Sequence, residues 1–137
     1  MRLSLALAAV LAVGGCSVLP FFTPATQEAA VVEAHERYPD VLAVELRPVS
    51  ERVYDVAVTI SSPYDSPERY ADGWRVLDPE GVVLGTHTLM HDHASEQPFT
   101  RTQRTLHIPA GVAAVTVEGR DQANGFGGAT VTVEVPD

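Results

Sequence analysis

From residue 41 onward the chain is written in twos. Residues 41–47 set Leu42, Val44 and Leu46 on one face, and residues 53–60 set Tyr54, Val56, Val58 and Ile60 against Asp55, Ala57 and Thr59. Successive side chains leave a strand on opposite sides, so an apolar residue at every second position suits a strand with one face on a core and the other in water. The pattern recurs. Residues 70–77 hold Trp74 and Val76, "DPEG" turns the chain, and residues 82–90 return; residues 99–108 follow, then "PAG", residues 112–120 with Val115 and Val117, and residues 129–135 with Val131, Val133 and Val135. This makes seven strands in residues 41–137, enough for one domain around a single core.

The expected fold is therefore all-β: a single seven-stranded antiparallel sandwich, immunoglobulin-like or fibronectin-III-like, with Trp74 in its core. The inter-sheet cysteines of antibody domains are absent, which favours the disulfide-free variants. A jelly-roll-like barrel is the competing architecture.

If each strand crosses the sandwich once, its connections alternate between two ends. "PVSER", "DPEG" and "PAG" share one end and are short; the longer, polar connections at 61–70, 91–99 and 120–128 share the other. Binding residues concentrate on loops held by a rigid scaffold. Tyr64, Asp65, Glu68, His91, Asp92, His93, Glu96, Asp121 and Asn124 are thus expected within reach of one another. The candidate contacts to a ligand or partner are Tyr64, Asp65, His91, His93, Glu96, Arg101, Asp121 and Asn124. Longer turns in a small domain without function are the plainer alternative.

The middle loop contains "HTLMHDHASEQPF", residues 87–99, with three of the chain's five histidines. His87, His91 and His93 share a parity in an unbroken strand, and Glu96 could add an oxygen ligand. Those four residues are the candidate site for copper or zinc. In the alternative, Asp92, Ser95 and Gln97 satisfy backbone groups in a polar turn. Gly85, His91, Asp92, His93 and Glu96 are similar to the first cupin motif but depart from it. Only two residues separate His93 from Glu96, and Ala114 stands where the second motif's histidine would fall, so a cupin metal centre is rejected.

The chain opens "MRLSLALAAVLAVGGCS": one cation, Arg2, an apolar run over residues 3–13, then Gly14, Gly15 and Cys16. Such a run suits an export signal and is too short for a membrane-spanning helix. Val13, Gly14, Gly15 and Cys16 resemble the lipobox of bacterial lipoproteins. The resemblance implies cleavage before Cys16, a covalent lipid such as palmitate on its thiol, and anchoring on the periplasmic face of a membrane. Ser17 is similar to the pattern that sorts to an outer rather than an inner membrane. Cys16 is also the only cysteine, so it has no disulfide partner within the chain. The domain reading is a signal peptide at 1–15, then acylated Cys16, a tether and one short helix at 16–40, and the β domain at 41–137. "SVLPFFTP" is the tether, and "QEAAVVEAHERY", capped by Thr26 and ended by Pro39, is the helix.

There is no lysine, and without Arg2 eight arginines face 18 acidic residues. That balance argues against nucleic acid and against a polybasic contact with lipid as partners. No Gly-X-Ser-X-Gly, His-Glu-X-X-His or phosphate-cradling loop is present, and acylation removes the only thiol, so no enzyme is expected. The run from "ADGWRVLDPEG" to "GGATVTVEV" resembles small exported bacterial proteins of uncharacterised function. Its fingerprints are "H-X-H-X-X-EQPF-T-R" and "RD-X-X-X-G-F-GG". The resemblance implies a true family unit and carries no activity; within it Arg101 and Arg120 are expected to bridge the acidic loops. The functional expectation is a membrane-anchored, non-enzymatic module that binds a periplasmic protein or small ligand, with metal binding as the alternative.

Overall fold

The structure, a computed structural model, describes residues 37–137; the expected signal peptide, Cys16, tether and all of the short helix but Arg37 and Tyr38 lie outside the described residues. Within them the chain forms eight strands: β1 (Asp40–Ser50), β2 (Val53–Ser61), β3 (Ala71–Leu77), β4 (Val83–Thr88), β5 (Phe99–His107), β6 (Ala114–Asp121), β7 (Gly125–Phe126) and β8 (Val131–Glu134). They make two antiparallel sheets. One has the order β1-β2-β5; in the other β4, β3 and β6 are neighbours and both β7 and β8 pair with β6. The expected count of seven is corrected to eight by β7. This two-residue return sets Phe126 opposite Arg120 and Gly125 opposite Asp121, too short to leave an alternation in the sequence.

One core is shared by both sheets. Tyr54, Val56, Val58 and Ile60 come from β2, Trp74 and Val76 from β3, and Val115 and Val117 from β6, at the alternate positions read from the sequence. At the start of β1 the parity differs. A register shift between Val41 and Ala43 places Val41 in the core and leaves Leu42 52% exposed, while Val44 and Leu46 stay half-buried. An extra residue in one strand reverses which side the next side chain takes. Val41 N also donates to Ala129 O (2.9 Å), which ties the first strand to the segment entering β8.

A polar bridge crosses the core. Trp74 Nε1 donates to Gln103 Oε1 (3.0 Å), and Gln103 Nε2 donates to Thr86 O (3.3 Å), so one β5 side chain joins β3 and β4 of the opposite sheet. Residues 38–40 pack as part of the same body. A Cβ on Gly127 would meet the Tyr38 ring at 2.5 Å, so that position lacks a side chain because of a close approach. Gly125 answers instead to a positive φ of +84°, and Gly128 to both, with φ +81° and Pro39 O too close for a Cβ to fit.

Candidate functional site

The loop between β2 and β3 is fastened to both of its long neighbours. Asp65 turns one carboxylate oxygen to Ala71 N (3.0 Å) and the other to His93 N in the β4–β5 loop (3.0 Å). Gln97 repeats the connection from the other side: its Oε1 accepts from Ser62 N (2.7 Å), while its Nε2 donates to Ser62 Oγ (3.2 Å) and His93 O (3.1 Å). The peptide bond between Gln97 and Pro98 is cis.

Toward the β6–β7 turn the link is ionic. Arg69 Nε lies 3.1 Å from Asp121 Oδ1, and the guanidinium sits 4.3 Å over the Tyr64 ring. Asp121 Oδ2 accepts from Ala123 N (2.9 Å), Asn124 N (2.8 Å) and Asn124 Nδ2 (2.9 Å). Arg69 and Asn124 both also donate to Arg37 O, at 3.0 and 3.2 Å, so the incoming chain is held at this same end.

The two clusters share the β2–β3 loop, and Tyr64, Asp65, His93, Asp121 and Asn124 belong to them. Their burial changes what they can do. His93 is 3% exposed, Asp65 7% and Asp121 0%. These three join loop to loop, and their polar groups are turned inward. The solvent-facing part of the candidate set is His91, Glu96 and Asn124; Arg101, near the start of β5, is half-buried, and Met90, next to His91 in the chain, is 81% exposed. Arg101 Nη2 pairs with Glu96 Oε2 at 2.6 Å, and Arg120 pairs with Asp72 on the neighbouring strand, which keeps it within its own sheet. Glu68 is exposed on the β2–β3 loop.

The histidines divide. His87, on β4, stacks on Trp74 with centroids 4.3 Å apart, whereas His91 lies 4.7 Å from His93, which itself lies flat on Phe99 at 3.9 Å. Among the described residues no group of three or more His, Cys, Asp and Glu side chains could hold a metal ion. Parity had aligned His87 with the other two, but β4 stops at Thr88 and the chain turns, so the period of two no longer applies beyond it.

Charge follows this geometry. Burial lowers the pKa of His87, and burial together with Arg101 and His91 lowers that of His93 against the pull of Asp65 and Glu96. The hydrogen bond from Arg101 holds Glu96 below the usual carboxylate range. Burial alone would raise Asp121, but the Asn124 amide, the neighbouring Tyr64 hydroxyl, the Ala123 amide and Arg69 outweigh it and hold this carboxyl low. Burial, then Asp121, raises Tyr64, whose hydroxyl is enclosed beside that carboxylate without hydrogen-bond geometry.

Ser62 and Arg69 are absent from the sequence-derived readings although they carry the network, whereas Gln97 enters there as a turn residue that satisfies backbone groups, as it does here for Ser62 N and His93 O. Arg69 left one signal: it is the only cation of the 61–70 loop.

A protein of Halomicrobium mukohataei named "Putative lipoprotein" is 36% identical to this chain over 107 residues, which cover 78% of the chain and 52% of the relative. The chain thus spans about half the length of the relative it matches. No protein-family model and no solved structure matches.

Proposed function

We propose that this chain is a lipoprotein, anchored in a membrane through a lipid on Cys16, whose β domain is a non-enzymatic binding module on the periplasmic face. The name of its relative supports the lipoprotein reading, and the Val13, Gly14, Gly15, Cys16 motif supports the anchor. Setting the short β7 aside, a three-stranded β1-β2-β5 sheet against β4-β3-β6-β8 is an order that supports an immunoglobulin-like or fibronectin-III-like sandwich.

The observation that carries the binding reading is the fastening of three loops through Asp65, Gln97 and Asp121. A surface ordered before contact loses less conformational entropy on binding, so the network prepares His91, Glu96, Arg101 and Asn124 to meet a partner. The anchor is tested by mass spectrometry of the amino-terminal peptide and by membrane fractionation of Cys16→Ser. An unmodified Cys16 would remove the anchor. The binding surface is tested in cells with a photo-crosslinking residue at Met90 or Glu96, compared with one at Glu80 or Ala110, exposed positions in the short turns. Equal yields from both ends would remove the loop-end reading.

A further inference from the structure

His93 has two duties that conflict once it carries a proton. Its main chain is the fastening of the β4–β5 loop: N donates to Asp65 Oδ2 at 3.0 Å, and O accepts from Gln97 Nε2 at 3.1 Å and Glu96 N at 2.9 Å. Its ring lies almost parallel to Phe99, 12° apart, with His91 beside it. Nδ1 is buried and has no hydrogen-bond partner. A neutral imidazole is accepted there as an aromatic filler. An imidazolium is not, because both nitrogens then donate and one of them, Nδ1, is buried without an acceptor.

We propose that residues 91–98 form a pH-operated latch, closed on the β2–β3 loop while His93 is neutral and released when that ring is protonated. The groups around the ring do not rescue the cation. From β5, Arg101 lies 5.7 Å over Phe99 and repels it, as does His91 once charged. Asp65 attracts it from the β2–β3 loop, but its two oxygens already accept from Ala71 N and His93 N. Glu96 attracts it from within the latch, but is paired with Arg101. Nδ1 reaches water only if the ring leaves Phe99, and that movement draws on the bonds its own main chain makes to Asp65 and Gln97.

The direction of the effect follows from linkage. Burial lowers the pKa of His93 in the closed state, while in the open state it titrates as an ordinary histidine near 6.5. The latch is fully closed above that open-state value and loosens as pH falls below it toward the lowered value. This holds whether or not the loop end binds a partner.

The test is amide hydrogen exchange on the full chain between pH 7.5 and 5.0, corrected for intrinsic rates, with His93→Phe as the variant that keeps an aromatic ring on Phe99. Protection of the His93 and Glu96 amides should fall about tenfold for each pKa unit by which closure lowers His93, while amides within β2 and β6 keep theirs. His93→Phe should abolish the fall. Unchanged protection in the parent, or an equal fall in His93→Phe, overturns the latch. A ring-nitrogen titration of the parent provides a readout that does not depend on the variant folding: a His93 pKa at or above the ordinary value also overturns it.

Discussion

Arg69 reaches from the β2–β3 loop to Asp121 at the end of β6, its Nε 3.1 Å from a carboxylate oxygen whose residue is wholly buried. β6 alternates strictly, with Val115, Val117, Gly119 and Asp121 all facing in, so its last inward position is given to a charge. An ionised carboxylate survives there because Arg69, the amides of Ala123 and Asn124 and the Asn124 side chain surround it. The loop end is therefore organised from inside.

Asp121→Asn keeps the shape and removes the charge, turning an amide group toward donors that need an acceptor. It should destabilise the domain by about 2–3 kcal/mol, within the range for disrupting a buried, hydrogen-bonded charge. Chemical denaturation at pH 7 measures the loss. The folded pKa of Asp121 is lowered, so its contribution is present above the unfolded carboxylate value and declines as pH falls through it toward the folded one. The gap between parent and Asp121→Asn should accordingly narrow in a titration from pH 6 to pH 3.

A second carboxylate holds a strained backbone. Thr105 sits at φ 54° in β5, where Arg104 and Thr105 both oppose Asp55, and Asp55 accepts from Thr105 N at 2.9 Å and Arg104 Nη1 at 3.1 Å. A left-handed conformation costs an L residue about 1–2 kcal/mol and suits a β-branched one least. Glycine avoids that cost but gives an unfolded chain with more freedom. Thr105→Gly should therefore raise stability by about 0.5–1 kcal/mol, seen as a higher midpoint in urea with an unchanged slope.

Arg52 acts at the opposite end. From a φ of 58° in the β1–β2 turn, its guanidinium donates to Ile108 O (2.9 Å), Pro109 O (2.6 Å) and Val112 O (3.0 Å), while Ile108 N donates to its carbonyl. This clamps the turn after β5 to the turn after β1. Lysine has one nitrogen and cannot span three carbonyls. Arg52→Lys and Arg52→Met should therefore lose similar stability, about 1.5–3 kcal/mol each. Full retention by lysine would mean that charge alone suffices.

The strands were legible because Tyr54, Val56, Val58 and Ile60, or Val115 and Val117, repeat at the period of a pleated strand, a signal each strand carries alone. The grouping of the loops was legible from strand counting. What the residues do there was not, because burial of a polar group depends on contacts far apart in the chain. Asp65 and His93 read as surface ligands in polar loops, yet each is the other's partner across 28 residues. His87 shares the parity of His91 and His93 only if the strand period runs past Thr88, where β4 ends. The bulge at Val41 and the two-residue β7 likewise leave no periodic trace.

Gln103 gives the sharpest test of how the two sheets are joined. It is buried in a strand whose other inward residues are Phe99 and Leu106, and its amide spans Trp74 Nε1 and Thr86 O. Gly85 leaves the space: a Cβ there would meet Leu106 Cδ1 at 2.6 Å and Gln103 Nε2 at 3.0 Å. In Gln103→Met the volume is nearly kept but the indole N–H loses its acceptor inside the core. Leaving one buried donor unsatisfied costs about 1–3 kcal/mol. Trp74 is the only tryptophan, so its fluorescence reports the site directly. The variant should unfold at lower denaturant and shift the native emission to the blue as the hydrogen bond is lost. A red shift would mean that water has replaced the amide and that the sheets have parted between β4 and β5.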